Sequence, residues 1–145
     1  MDNKFAVALH AMVMISETDE VMTSDKIAKS VQTNASYIRK IMMTLKTAQL
    51  IQSSQGVSGI RLGRDKHEIS LFDIYQAVQQ TDWVNLFDIH QNPNEECPVG
   101  RYIEQTLTPT FVDIEQEIVN RLKAETLAQL IERMYEIGKA ENKGV

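Results

Sequence analysis

Thr23 to Lys66 reads TSDKIAKSVQTNASYIRKIMMTLKTAQLIQSSQGVSGIRLGRDK. Eight basic residues (Lys26, Lys29, Arg39, Lys40, Lys46, Arg61, Arg64 and Lys66) face only Asp25 and Asp65, so the stretch carries +6 inside a chain of net −5. The remainder holds 7 basic against 18 acidic side chains, or −11. Such segregation predicts a polyanion-binding surface on an acidic body.

The same stretch predicts its own architecture. Thr23 or Ser24 can cap a short helix carrying Ile27, Ala28 and Val31, because a hydroxyl there accepts from backbone N–H groups that lack partners. Gln32, Thr33 and Asn34 then form a tight turn. From Ala35 the apolar positions Ile38, Ile41, Met42, Leu45 and, after Ala48, Ile51 form a stripe, which leaves Ser36, Tyr37, Arg39, Lys40, Met43, Thr44 and Lys46 largely outward. Leu50 to Ser54 and Ile60 to Leu62 are β-capable pieces around Gly56, Val57, Ser58 and Gly59, a hairpin signal. Helix, turn, helix and hairpin are the layout of a winged helix-turn-helix, with the second helix as recognition helix and the hairpin as wing.

Outward from this stretch, 145 residues at 43% hydrophobic suffice for one domain, or one domain plus an appendage. Few Pro and Gly and apolar residues at helical spacing predict a mainly α protein with a small β-hairpin wing. Phe5 to Ile15 is apolar nearly all round, so this helix should be buried on two sides, the second against the carboxy-terminal helices. It is too short and too interrupted, by His10, for a membrane span, and lacks the flanks of a signal peptide. Ser70 to Asp73 fits a capping box opening a helix with Ile74, Tyr75, Ala77 and Val78. Between Thr81 and Glu96 the pattern fades into an ordered loop, or a loop with a helical turn, holding Trp83, Leu86, Phe87 and Ile89; Trp83, Phe87 and Ile89 can line a small-ligand site or simply pack.

Pro98 suits the first position of a new helix, and Val99, Ile103, Leu107, Phe111, Ile114, Ile118 and Leu122 follow at three- and four-residue spacing. Pro109 inside it predicts a kink, or a restart capped by Thr108. Thr126 can cap a last helix through Leu127, Leu130, Ile131, Met134 and Ile137. The expected division is residues 1–80 for DNA binding, 81–97 as loop or sensor region and 98–145 for dimerisation.

Thr23, Ser24, Ile27, Ala28 and Ser30, then Ser36, Tyr37, Ile38, Leu45, Leu50 and Ile51, then Gly56 and Gly59, and finally Ile69, Ser70, Leu71 and Ile74 together resemble the Rrf-two family of bacterial winged-helix regulators. The likeness continues through the Cys97 loop, the helix after Pro98 and the Thr126, Leu127, Leu130 segment. The resemblance implies a homodimeric DNA-binding regulator, usually a repressor, with the third helix in the major groove and the wing reaching the minor groove. Some relatives hold an iron-sulfur cluster on three cysteines in the loop before the long helix. This chain has one cysteine, so it resembles the cluster-free branch that includes the cysteine-metabolism repressor, and no cofactor is expected. A second departure is Gln55, where many relatives place Arg before the first wing glycine.

The expected DNA-facing set is Thr23, Ser24, Lys26, Lys29, Ser36, Tyr37, Arg39, Lys40, Lys46, Gln55, Ser58, Arg61 and Arg64. Ser36, Tyr37, Arg39 and Lys40 lie near the amino end of the recognition helix, where such proteins touch bases, and Arg39 can offer two donors to guanine. Lys26, Lys29 and Lys46 are phosphate contacts, and Arg61 and Arg64 the wing's cations. Two winged domains related by a dyad read a palindrome, and Ile103, Leu107, Phe111, Ile114, Ile118 and Leu122 are the natural interface. The alternative for that stripe is an intrachain core helix against Phe5 to Ile15, and both can hold on different faces.

Cys97 is the one thiol, so no intrachain disulfide can form, in keeping with a reducing cytoplasm. At a helix start its thiolate is favoured, which suits a redox or electrophile switch; the other reading is a small buried hydrophobe ending a loop. His90 with Cys97 makes an incomplete zinc site, so no metal is expected. No phosphate-cradling glycine motif or nucleophile with a nearby base is present, which argues against an enzyme. The competing function is a protein-interaction module that keeps the helix-turn-helix without operator binding.

Overall fold

The apolar girdle of the first helix sets the arrangement of the rest. In the computed structural model, which describes residues 2–53 and 59–141, α1 (Lys4–Glu17) buries Val7, Ala8, Ala11, Met12 and Ile15. It packs most extensively on α4 (Leu71–Gln79) and also on α2 (Ser24–Val31), α3 (Ala35–Thr47) and α6 (Leu127–Ala140). The expected contact with the carboxy-terminal helices is therefore made by α6, whereas the long α5 (Pro98–Ala124) packs on α4. Met12, Ile27, Ile38, Leu45, Leu50, Ile74 and Ile131 are fully enclosed in this core. Each such side chain contributes about 1.5–3 kcal/mol relative to exposure.

Local chemistry closes the elements. Thr23 Oγ1 accepts from the Lys26 N–H at 3.2 Å to start α2, and Asn34 Oδ1 accepts from the Tyr37 N–H at 2.7 Å to start α3. Between them Gln32 takes a left-handed conformation (φ 65), which ends α2 and turns the chain. Ser70 and Asp73 form the expected capping box of α4, with reciprocal bonds of 3.0 and 2.9 Å.

The hairpin is shorter than expected. Strand β1 is Ile51–Gln52 and β2 is Arg61–Leu62, antiparallel, with Ile51 opposite Leu62 and Gln52 opposite Arg61. Leu50 lies instead in the turn that closes α3, where Gln49 is left-handed (φ 62) and the Leu50 N–H donates to the Leu45 carbonyl at 3.0 Å. Gly63 lets the returning chain cross there, since a Cβ would lie 2.3 Å from the Gln49 carbonyl oxygen. Ile60 N–H donates to Met22 O at 2.9 Å, which ties the wing to the segment before α2. The expected wing contacts Gln55 and Ser58 lie outside the described residues.

The long helix decides against one of the two alternatives at Pro109, the restart. α5 runs unbroken for 27 residues through Pro109, and Thr108, rather than capping a restart, lies inside the helix with its hydroxyl donating to the Glu104 carbonyl at 2.7 Å. Gln105 and Pro109 are both exposed, so the carbonyl left without an N–H partner meets water and the break is not forced. A second small core forms where α5 meets α4: Phe72, Val84 and Val119 are buried, with Trp83, Tyr75, Ile118 and Leu122 against them.

At the α5 to α6 corner, Glu125 is buried and accepts from Arg133 Nη2 at 2.8 Å, Arg133 Nη1 at 3.2 Å and Arg121 Nη2 at 2.9 Å. Its carbonyl accepts from the Leu71 N–H at 2.9 Å, and the Leu127 N–H donates to Ile69 at 2.8 Å. The corner is thus stitched to the start of α4. Hydrogen bonds from Arg133, opposed by burial and helped by Arg121, hold the Glu125 carboxyl below its ordinary value. A depressed carboxylate stabilises the fold above its unfolded pKa, and the contribution is lost as pH falls through the folded value. Glu125→Gln should therefore cost about 2–3 kcal/mol at neutral pH, since the arginines are partly solvated. In urea titrations the gap to wild type should close below about pH 4; a gap independent of pH would remove the charge from this account.

Candidate nucleic-acid interface

The stripe Ile38, Ile41, Met42 and Leu45 is buried, and this fixes the rotation of α3. Ser36, Arg39, Lys40, Met43 and Lys46 are exposed in consequence. No acidic residue occurs anywhere in α3. Thr23 and Ser24 of α2, Arg39, Met43 and Lys46 of α3, and Ser53 and Gly59 at the wing's base line one open cleft of about 450 Å³. The helix pair and the wing therefore border a common concave, basic surface.

The expected cations divide into two groups. Among the described residues, Lys29, Arg39, Lys40, Lys46 and Arg61 are exposed and make no ion pair. Lys26 instead donates to the Val21 carbonyl at 2.7 Å and to Glu20 at 3.5 Å. Arg64 lies 3.3 Å from Asp73 at the start of α4. Lys66 donates to Glu17 at 3.2 Å, where Tyr135 Oη also donates at 2.9 Å, so Glu17 ties both this lysine and α6 to α1. Tyr37 departs from the outward placement: it is half-buried against the core, and its hydroxyl donates to Asn3 Oδ1 at 3.4 Å. Its position on the first turn of α3 faces α1 as much as solvent. Ser36, by contrast, projects freely.

The apolar stripe of α5 is split by the fold. Ile118 and Leu122 pack into the second core, Phe111 stacks on Phe87 with centroids 4.6 Å apart, and Ile103 and Leu107 are half-buried. Val99, Tyr102, Val112 and Ile114 remain exposed. Sequence reasoning missed Glu115, which is buried and accepts from Trp83 Nε1 at 3.0 Å, the Leu86 N–H at 2.8 Å and the Phe87 N–H at 3.4 Å. These donors, Trp83 foremost, lower its pKa against the cost of burial. Glu115 thereby fastens the 81–97 loop to α5. Its signal was present: it sits four residues after Phe111 and four before Val119, on an otherwise apolar face.

Cys97 is the N-cap residue of α5 and is exposed, which removes the buried-hydrophobe reading. Backbone N–H groups of Gly100 and then Val99 favour the thiolate and hold its pKa below the ordinary thiol value.

Compared with known proteins, residues 1–133 match the model of the Rrf2 family, described as "Iron-dependent Transcriptional regulator". YwnA of Bacillus subtilis (strain 168), provisionally named an HTH-type transcriptional regulator, is 36% identical over 135 residues, 93% of this chain and 99% of that protein. A crystal structure provisionally described as that of a DNA binding protein is 35% identical with a TM-score of 0.73, over 88% of this chain and 98% of the other. CymR, the global cysteine regulator of B. subtilis, shares the fold at 18% identity and a TM-score of 0.68, over 92% of this chain and 96% of its own. The family description raises iron, and the donor set can be tested against it. A cluster takes about four ligands, usually thiolates, whereas this chain has one cysteine, and no three His, Cys, Asp or Glu among the described residues are grouped to hold a metal ion. The residues present do not fit a cluster. Among the described residues no helix is long and apolar enough to cross a membrane.

Proposed function

The chain belongs to the Rrf2 family of transcriptional regulators, and on that premise we propose that this DNA-binding regulator is a cytoplasmic homodimeric repressor of a palindromic operator. It is a regulator and not an enzyme. The observation that carries the reading is the acid-free outer face of α3, where Arg39, Lys40 and Lys46 make no ion pair among the described residues and Arg39 and Lys46 line the cleft shared with α2 and the wing. In this reading Ser36, Arg39 and Lys40 meet base edges in the major groove; Lys29 and Lys46 hold phosphates, with Lys26 and Thr23 at the α2 end and Arg61 and Arg64 at the wing. Residues 1–80 bind DNA, 81–97 carry the sensing thiol, and 98–145 pair the protomers through the exposed face of α5.

One winged domain touches too few base pairs for a specific site, and a dyad places two recognition helices about one DNA turn apart. The test is selection of duplexes from a random-sequence library, followed by gel shifts across a salt series. A palindrome should emerge, and its affinity should fall on the order of 1,000-fold or more between 50 and 200 mM salt if six or more phosphates are contacted. No binding at low salt would instead identify the chain as a protein-interaction module.

For the signal, the exposed thiol at the start of α5 supports a redox or electrophile switch acting on the pairing helix. Cys97→Ser should abolish the loss of operator binding caused by a thiol oxidant. A Cys97→Ser protein with the full oxidant response places the trigger elsewhere.

A further inference from the structure

Met43 is 69% exposed, more than any other large apolar side chain among the described residues. Its neighbour Met42 is 6% exposed, so the rotation of α3 that buries one methionine projects the other. On the outer face Arg39 and Lys40 lie one turn before Met43, and Lys46 and Thr47 one turn after it. The face therefore offers hydroxyls at Ser36 and Thr47, a guanidinium, ammonium groups, and a single thioether in the middle of them. Among the described residues, Met43 is the one exposed large apolar side chain on the cleft shared with α2 and the wing, whose other apolar lining, Met22, Met42, Ile51 and Ile60, is buried or half-buried. A single projecting side chain is too small for a protein-docking patch and fits one small apolar group.

The major groove presents one such group. Guanine shows two acceptors, cytosine a donor, and thymine alone carries a methyl at its groove edge. With no Asp or Glu on α3, the helix cannot accept from the cytosine amino group through a carboxylate, the usual contact to that base. Its cations suit guanine, and its thioether suits thymine. Methionine's unbranched, flexible chain can also adjust to the exact position of a methyl.

We infer that Met43 is a specificity-determining residue that packs against the 5-methyl group of one thymine in each operator half-site. The inference rests on the DNA-binding reading above. Four residues of helix advance about 6 Å, and DNA advances about 3.4 Å per base step, so that thymine lies within two base pairs of the guanine held by Arg39.

The test replaces each thymine of the selected palindrome in turn by deoxyuridine, which deletes the methyl and keeps the pairing. For the wild-type protein one position per half-site should weaken binding about fourfold, and both together about fifteenfold, as expected for methyls withdrawn from an apolar contact. Met43→Ala should bind the thymine and uracil duplexes equally while keeping the salt dependence of the wild type. Because Met43 is exposed, the variant should melt as the wild type does. The inference is overturned if no thymine is sensitive in a wild-type complex that otherwise selects a palindrome, or if Met43→Ala still discriminates against the same uracils. If the wild type selects no sequence and shows no salt-sensitive binding, the DNA-binding reading itself fails, and this inference with it.

Discussion

Ile114→Asp should yield a folded monomer that has lost operator binding on the order of 100-fold or more, because one half-site no longer recruits the other. The expectation follows from how α5 divides its faces. Glu115, Val119, Ile118 and Leu122 turn inward to the loop and α4, while Ile114 and Val99, on one side of the helix with the half-buried Ile103 and Leu107, remain 38% and 68% exposed. A symmetric contact along that outer face brings each substituted position in twice, so the variant buries two unpaired carboxylates for one interface. Ile114 belongs to neither hydrophobic core, so the thermal transition should change little apart from the lost mass action of pairing. Phe111→Asp is a less clean probe, since Phe111 also holds Phe87 of the loop. Light scattering reads the mass and gel shifts read the affinity. A monomeric, well-folded variant that still binds its operator tightly would place the interface elsewhere.

The same helix shows what the sequence could and could not convey. Spacing of apolar residues located α5 and its start at Pro98, because one-dimensional periodicity records that a helix has an apolar side. It did not record that two neighbouring stripes exist, one for α4 and one outward, so Ile118 and Leu122 were grouped with Ile114. Whether Pro109 breaks the helix depends on whether the orphaned carbonyl meets water, which only three-dimensional exposure decides. Helix α3 was legible almost residue by residue, since Asn34, the Ile38 to Leu45 stripe and the basic positions all agree on one rotation. Tyr37 escaped because a first-turn residue lies on the boundary between faces, and its hydroxyl found Asn3 some 34 positions away. Glu17, Glu115 and Glu125 escaped more completely. A carboxylate reads as surface until its donors are known, and those donors come from remote segments: Lys66 and Tyr135, Trp83 and the loop amides, Arg121 and Arg133.

Arg39→Ala should produce the largest loss of specificity of any single change on α3. Arg39 is exposed, unpaired among the described residues, and one turn inside the helix start, where the docking geometry brings side chains to base edges. A guanidinium that donates twice to guanine discriminates by about 1–3 kcal/mol per site, and a dimer uses two, so the combined loss on the palindrome is roughly 30-fold to more than 1,000-fold. Binding to a scrambled duplex should fall far less, because that complex rests on phosphates and loses only one cation per protomer. Lys29→Ala supplies the contrast: its weakening should be nearly the same for both duplexes, with a shallower salt slope. Arg39→Lys should not restore the loss, since an ammonium lacks the planar fork that matches the two guanine acceptors. Equal losses on specific and scrambled DNA would make Arg39 a positioning cation like Lys29, and base reading would then have to come from Lys40, Ser36 and the wing.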